Sequence, residues 1–141
     1  MANIANVQKA QNDWQTPVNE VISAVNSLVG GLEPTHLTNV FTYVNGVTGA
    51  GGEAWYWSIG DYKLVYLWTG SFTTPKGFVH DSEGMTIPDT ITPIHEVNIL
   101  TSRDNTLING YGKTNTFHIF TTNAADGETS GIGSVFYLAK A

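Results

Sequence analysis

Apolar residues follow two rhythms along this chain, and the rhythm changes at Gly30-Gly31. Before the change they recur three and four positions apart. Counting heptads from Ile4, the a sites are Ile4, Gln11, Val18 and Val25 and the d sites are Val7, Trp14, Val21 and Leu28, with Ile22 and Val29 widening the stripe. Gln11 and Trp14 interrupt the pattern, which therefore predicts a helix over about 17–29, with Thr16 as N-cap, Pro17 at the first helical position and Gly30 as the stop. A helix of about 13 residues is close to the lower limit of stability in water, so its stripe requires a partner surface. Two partners fit, the rest of the same chain or another copy. The β-branched residues at a and d favour assemblies of three or more helices over two.

After Gly31 the pattern alternates with a period of two, in short runs closed by turn residues. It predicts strands at Thr38 to Asn45, Glu53 to Ile59, Tyr62 to Ser71, Met85 to Ile87, Glu96 to Thr101, Thr106 to Asn109, Thr116 to Thr122 and Ser134 to Leu138. Eight short strands with no helix between them indicate a mainly β protein: an antiparallel β-sandwich head of jelly-roll type over 32–141, carried on a helical stem over 1–31. The clearest pair is Glu53 to Ile59, then Gly60-Asp61, then Tyr62 to Trp68. Gly at the first turn position suits a type II′ hairpin. Tyr62, Leu64, Tyr66 and Trp68 share one face of the second strand, while Val65 and Leu67 lie on the other. Both faces are apolar, so the outer one is expected to pack against the stem or against a neighbouring head.

Composition agrees with a β-rich chain. Charged residues make up 13% of the 141, about half the usual share, and the 15 glycines exceed the average frequency of about 7%. Absence of cysteine excludes disulfides. The net charge is −6, and from Leu32 on there are ten acids against five bases, which disfavours a nucleic-acid surface. No run of about 18 apolar residues exists to span a membrane. Met1-Ala2-Asn3-Ile4 lacks the basic start and apolar stretch of a secretion signal, so synthesis in a cytoplasm is expected.

The order of a helical stem, Asn45-Gly46-Val47-Thr48-Gly49-Ala50-Gly51-Gly52, Trp55-Tyr56-Trp57-Ser58-Ile59-Gly60-Asp61-Tyr62 and a Gly-rich end with Phe136-Tyr137-Leu138 resembles receptor-binding proteins of tailed phages. The similarity is to the head domains of baseplate or tail-tip proteins from phages of lactic acid bacteria and related Gram-positive hosts. It covers Asn39 to the C-terminus in layout. The resemblance implies a homotrimer with a helical N-terminal bundle and β-sandwich heads, located in the virion and recognising saccharide on the host cell surface. Its trimer interface would hold Val18, Val21, Ile22, Val25 and Leu28 of the stem and Tyr62, Leu64, Tyr66 and Trp68 of the head. The chain departs from relatives with an interlaced β-linker, because only about six residues, Leu32 to Leu37, separate stem from head.

Saccharide recognition needs aromatic faces for sugar C–H groups and planar polar side chains for the hydroxyls. Candidates near turns and strand ends are His80, Asp81 and Glu83, then Arg103, Asp104 and Asn105, with Tyr111 and His118. Arg103 suits bidentate contact with an anionic group of a wall polymer. The competing reading of His80-Asp81-Ser82-Glu83-Gly84 and of Ser102-Arg103-Asp104-Asn105 is a pair of polar turns. His118 alternates with Phe117 and Ile119, which places it on the less apolar face of its strand. Trp55, Trp57 and Trp68 read as core or interface. His95 with Glu96, or His80 with Asp81 and Glu83, could be offered as acid-base or metal sites, but the chain has no H-E-x-x-H, no G-x-S-x-G, no Walker loop and no spaced Cys/His set. The expectation is binding without catalysis, metal or cofactor, the partners being host saccharide and other phage baseplate or tail proteins. The alternatives are a structural baseplate or tail adaptor that binds another virion protein, and a tail enzyme that cleaves cell-wall glycan.

Overall fold

The computed structural model describes residues 15–30, 32–102, 106–121 and 127–141. The chain forms two compact units, Met1–Pro34 and Thr35–Ala141, dividing three residues after the 31/32 border expected from sequence.

The first unit contains helix α1, Gln15–Gly30. The helix is already running at Gln15, so Thr16 lies within its first turn and does not cap it. Pro17 is tolerated there because first-turn N–H groups have no intrahelical acceptor. The helix closes where Leu32 N–H donates to the Val29 carbonyl (3.1 Å) and Glu33 N–H to that of Gly30 (3.3 Å). Val21 and Leu28 remain 63% and 70% exposed, while Ile22, Val25 and Val29 are half-buried. The expected stripe positions at Ile4, Val7, Gln11 and Trp14 lie outside the described residues.

Among the described residues, the second unit contains twelve antiparallel strands. β1 (Thr35–Thr38), β4 (Glu53–Ile59), β5 (Tyr62–Trp68) and β12 (Ser134–Lys140) make the first sheet, in the order β1-β4-β5-β12. β2 (Thr42–Tyr43), β7 (Ser82–Thr86), β8 (Val97–Leu100), β9 (Leu107–Gly110) and β10 (Thr116–Phe120) make the second, in the order β2-β7-β10-β9-β8. β3 (Thr48–Gly49), β6 (Phe72–Thr74) and β11 (Glu128–Ser130) form a small third sheet, in the order β11-β6-β3. Ala54, Val65, Leu67, Tyr137 and Ala139 of the first sheet share one buried cluster with Met85, Val97, Ile99, Ile108, Phe117 and Ile119 of the second. That shared core makes the unit a β-sandwich.

The β4–β5 hairpin has the expected form. Ile59 pairs with Tyr62, and Gly60 takes φ 58° while Asp61 stays at negative φ, the backbone of a type II′ turn. Three expectations are corrected. The run Thr38 to Asn45 is not one strand: Asn39, at φ 54°, turns the chain from β1 in the first sheet to β2 in the second. Likewise Tyr62 to Ser71 divides at Gly70 (φ 63°), leaving β5 in the first sheet and Phe72 to begin β6. Finally, Ser82 to Gly84 is strand and not polar turn, because β7 pairs with β10 through Ser82↔Ile119 and Glu83↔His118. β1 begins at Thr35, which shortens the connection from the stem to Leu32–Pro34.

Candidate functional site

On β8, β9 and β10 the inward residues Val97, Ile99, Ile108, Phe117 and Ile119 fill the core, so the intervening residues face outward. Strand register aligns those outward residues into rows. One row runs Glu83, His118, Asn109, Asn98 across β7, β10, β9 and β8. The next runs Phe120, Leu107, Leu100. A polar row thus lies beside an apolar one on the outer face of the second sheet.

The polar row is joined by hydrogen bonds. His118 Nδ1 faces two acceptors, the Asp81 carboxylate Oδ1 and the Asp81 carbonyl, both at 3.1 Å, so Nδ1 carries a proton. Tyr111 Oη donates to the same Oδ1 at 3.0 Å, and its ring meets that of His118 edge-on at 4.9 Å. Asp81 holds this position because it sits at φ 59°, a left-handed conformation that Asp tolerates better than most residues. The bond to Asp81, with the neighbouring charges of Asp81 and Glu96, pushes the Tyr111 hydroxyl above the ordinary tyrosine pKa. Farther along, Asn109 Nδ2 donates to Glu96 Oε1 (2.6 Å) and Asn98 Oδ1 (2.8 Å). Glu96 and Asn98 also line a cleft of about 290 Å³ with His95, Val135, Phe136 and Leu138.

Of the residues singled out from sequence, Asp81, Tyr111 and His118 meet in one cluster, and Glu83 flanks it in register. His80 is tied to the end of the same sheet, its Nδ1–H donating to the Thr121 carbonyl at 2.9 Å and its ring edge-on to Phe120 at 5.2 Å. Arg103, Asp104 and Asn105 lie outside the described residues. Asn98 and Asn109 were missed by sequence reasoning. Their signal was a polar amide beside apolar residues of a predicted strand, Asn98 between Val97 and Ile99 and Asn109 after Ile108.

A second surface of interest is the outer face of the first sheet. Val65 and Leu67 are fully buried, whereas Tyr62, Phe136, Leu138 and Ile59 are 43%, 59%, 43% and 59% exposed, with Trp55, Trp57, Leu64, Tyr66 and Trp68 half-buried among them. The tryptophans are therefore surface residues of the sheet and not core. Monomers seldom leave a contiguous apolar patch this broad uncovered. Among the described residues there is no group of three or more His, Asp and Glu side chains placed to hold a metal ion, and no helix is long and apolar enough to cross a membrane.

No protein-family model matches the chain, and no curated protein does. Among solved structures, it is similar to the receptor binding protein (gp15) of Listeria phage PSA, with a TM-score of 0.60 over 96% of this chain and 83% of that one. The two share a fold. Their sequences are 17% identical, so the likeness is one of architecture, and the site rests on this chain's own residues. The mainly antiparallel β fold read from sequence is therefore one found in a phage receptor-binding protein.

Proposed function

We propose that the chain is a receptor-binding protein of a tailed phage, a homotrimer at the tail tip or baseplate that attaches the virion to host cell-surface saccharide without catalysis. The observation that carries the saccharide reading is the pair of rows on the second sheet. Asp81, Glu83, Glu96, Asn98, Asn109, Tyr111 and His118 supply fixed polar groups beside the apolar strip of Phe120, Leu107 and Leu100, the combination that a sugar's hydroxyls and C–H face require. The fold shared with gp15 supports the phage setting.

Assembly into trimers is supported by two uncovered apolar surfaces, the stripe of Val18, Val21, Ile22, Val25 and Leu28 on α1 and the outer face of the first sheet with Tyr62, Leu64, Tyr66 and Trp68. Three linked sites would raise avidity well above the affinity of one. Other baseplate or tail proteins would anchor the assembly. An adaptor that binds a second virion protein is the alternative, favoured by the same apolar face. Light scattering at micromolar concentration, together with binding to purified bacterial wall polysaccharide, separates them. A trimer that binds glycan through Asp81 and His118 supports receptor binding, and a monomer that ignores glycan sinks that reading in favour of the adaptor.

A further inference from the structure

Asn109 is 5% exposed, yet its side-chain carbonyl Oδ1 is buried with no hydrogen-bond partner. Rotating the amide does not cure this. It would turn the carbonyl toward Glu96 Oε1, a carboxylate oxygen 2.6 Å from the present Nδ2 and unable to donate. The amide is thus fixed with its nitrogen committed to Glu96 and Asn98 and its acceptor unused. Native proteins rarely leave a buried acceptor empty, and such a group calls for a donor that the fold itself does not supply. Asn109 stands in register between His118 and Asn98, at the centre of the polar row.

The rest of the row has the same sense. Asp81 and Glu83 stand on one side and Glu96 and Asn98 on the other, and among the described residues none of the hydrogen bonds that build the row comes from a lysine or arginine. Lys63 is occupied elsewhere, donating to the Thr90 carbonyl at 3.0 Å. Lys113, in the β9–β10 turn, is the nearest described lysine in sequence. A surface rich in carboxylates and fixed acceptors accepts hydrogen-bond donors and repels phosphate.

Resting on the saccharide reading above, we infer that the polar row binds an uncharged sugar unit through its hydroxyl and amide N–H groups, with Asn109 Oδ1 as the central acceptor, and discriminates against phosphorylated units.

The test is ligand-observed NMR with the full chain against neutral hexoses and N-acetylhexosamines, and against glycerol 3-phosphate and hexose 1-phosphates, all at millimolar concentration. The expected result is saturation transfer to at least one neutral sugar, at least tenfold weaker for its phosphorylated form. Binding should fall at least tenfold in Asn109→Ala and in the exposed-site variant Tyr111→Phe, and stay unchanged in Lys113→Ala. Thermal melting of each variant shows that it is folded. Stronger binding of the phosphorylated probes, or loss of binding in Lys113→Ala, overturns the charge preference and leaves saccharide recognition standing. Neutral-sugar binding untouched in folded Asn109→Ala and Tyr111→Phe removes the row as the site. No binding to any probe overturns both readings.

Discussion

His36 and Trp55 lie face to face, their ring centroids 4.5 Å apart and their planes 4° from parallel, with His36 also paired to Glu53 at 2.8 Å. They begin a run of rings that crosses the first sheet from edge to edge. Trp55 leads to Tyr66 at 5.7 Å and Tyr66 to Phe136 at 4.7 Å. Each cross-strand contact is worth only about 0.5–1.5 kcal/mol beyond area burial, and the run leaves apolar ring surface at its exposed end on β12.

That exposed end is the place to test the proposed assembly. Phe136→Asp alters a side chain that contributes little to the single-chain core, so melting of the head should move by no more than a few degrees. Light scattering should show the particle falling from three 15.2 kDa chains toward one. An unchanged mass would remove this face from the trimer interface.

The stem offers a separate test of the same assembly. Val21→Asp with Leu28→Asp places charge on the two most exposed stripe residues. A 16-residue helix without a partner is marginal in water. Circular dichroism should therefore lose helical signal while the β signal of residues 35–141 persists. Retained helix and retained trimer together would show that the stripe has no assembly role.

Asp81 is the acceptor on which Tyr111 and His118 converge, so Asp81→Asn should weaken glycan binding about tenfold or more, in line with about 1.5–3 kcal/mol for a hydrogen bond to a charged group. The same variant has a readout independent of ligand. Removing the carboxylate that holds the Tyr111 proton should lower the alkaline titration of that phenol toward 10, its ordinary value, followed by ultraviolet difference spectroscopy. A titration that does not move would show that the Tyr111–Asp81 bond does not persist in solution.

Alkaline stability turns on Tyr137. Its hydroxyl is buried and donates to the Ile91 carbonyl at 2.7 Å, and burial holds its ionisation far above that of a free tyrosine. A raised folded-state value means that the associated stability is intact below about pH 10 and is lost as pH rises beyond it, because only the unfolded chain can release the proton. Denaturant midpoints should fall steeply above pH 10. Tyr137→Phe should be about 1–3 kcal/mol less stable at pH 7, with the Ile91 carbonyl left unpaired, and less sensitive to alkali than the parent. Equal alkaline slopes in the two proteins would refute this assignment.

How far the sequence carries depends on whether the deciding contact is local. The β4–β5 hairpin was legible because Gly60-Asp61 stands between two alternating aromatic runs, and the fold class followed from many such short runs. β1 was missed, since Thr35 to Thr38 is four residues long and acquires its strand identity only from β4. The two- and three-residue strands β2, β3, β6 and β11 likewise exist through their partners. At the site, Asp81, Tyr111 and His118 were each recognisable as polar candidates, but 30 and 37 residues separate Asp81 from the other two. Only the register of β7, β10 and β9 brings them together. Asn109 looked like an ordinary strand residue until burial showed its carbonyl without a donor.

The alternation along β8, β9 and β10 divides labour between neighbours in the chain. Val97, Ile99, Ile108, Phe117 and Ile119 answer to the core, while Glu96, Asn98 and His118, interleaved with them, answer to whatever meets the outer face. Single substitutions at the outward positions can therefore alter recognition while leaving the packed interior intact. What the sheet contacts can thus change faster than how it folds, which is compatible with one architecture being kept at 17% identity.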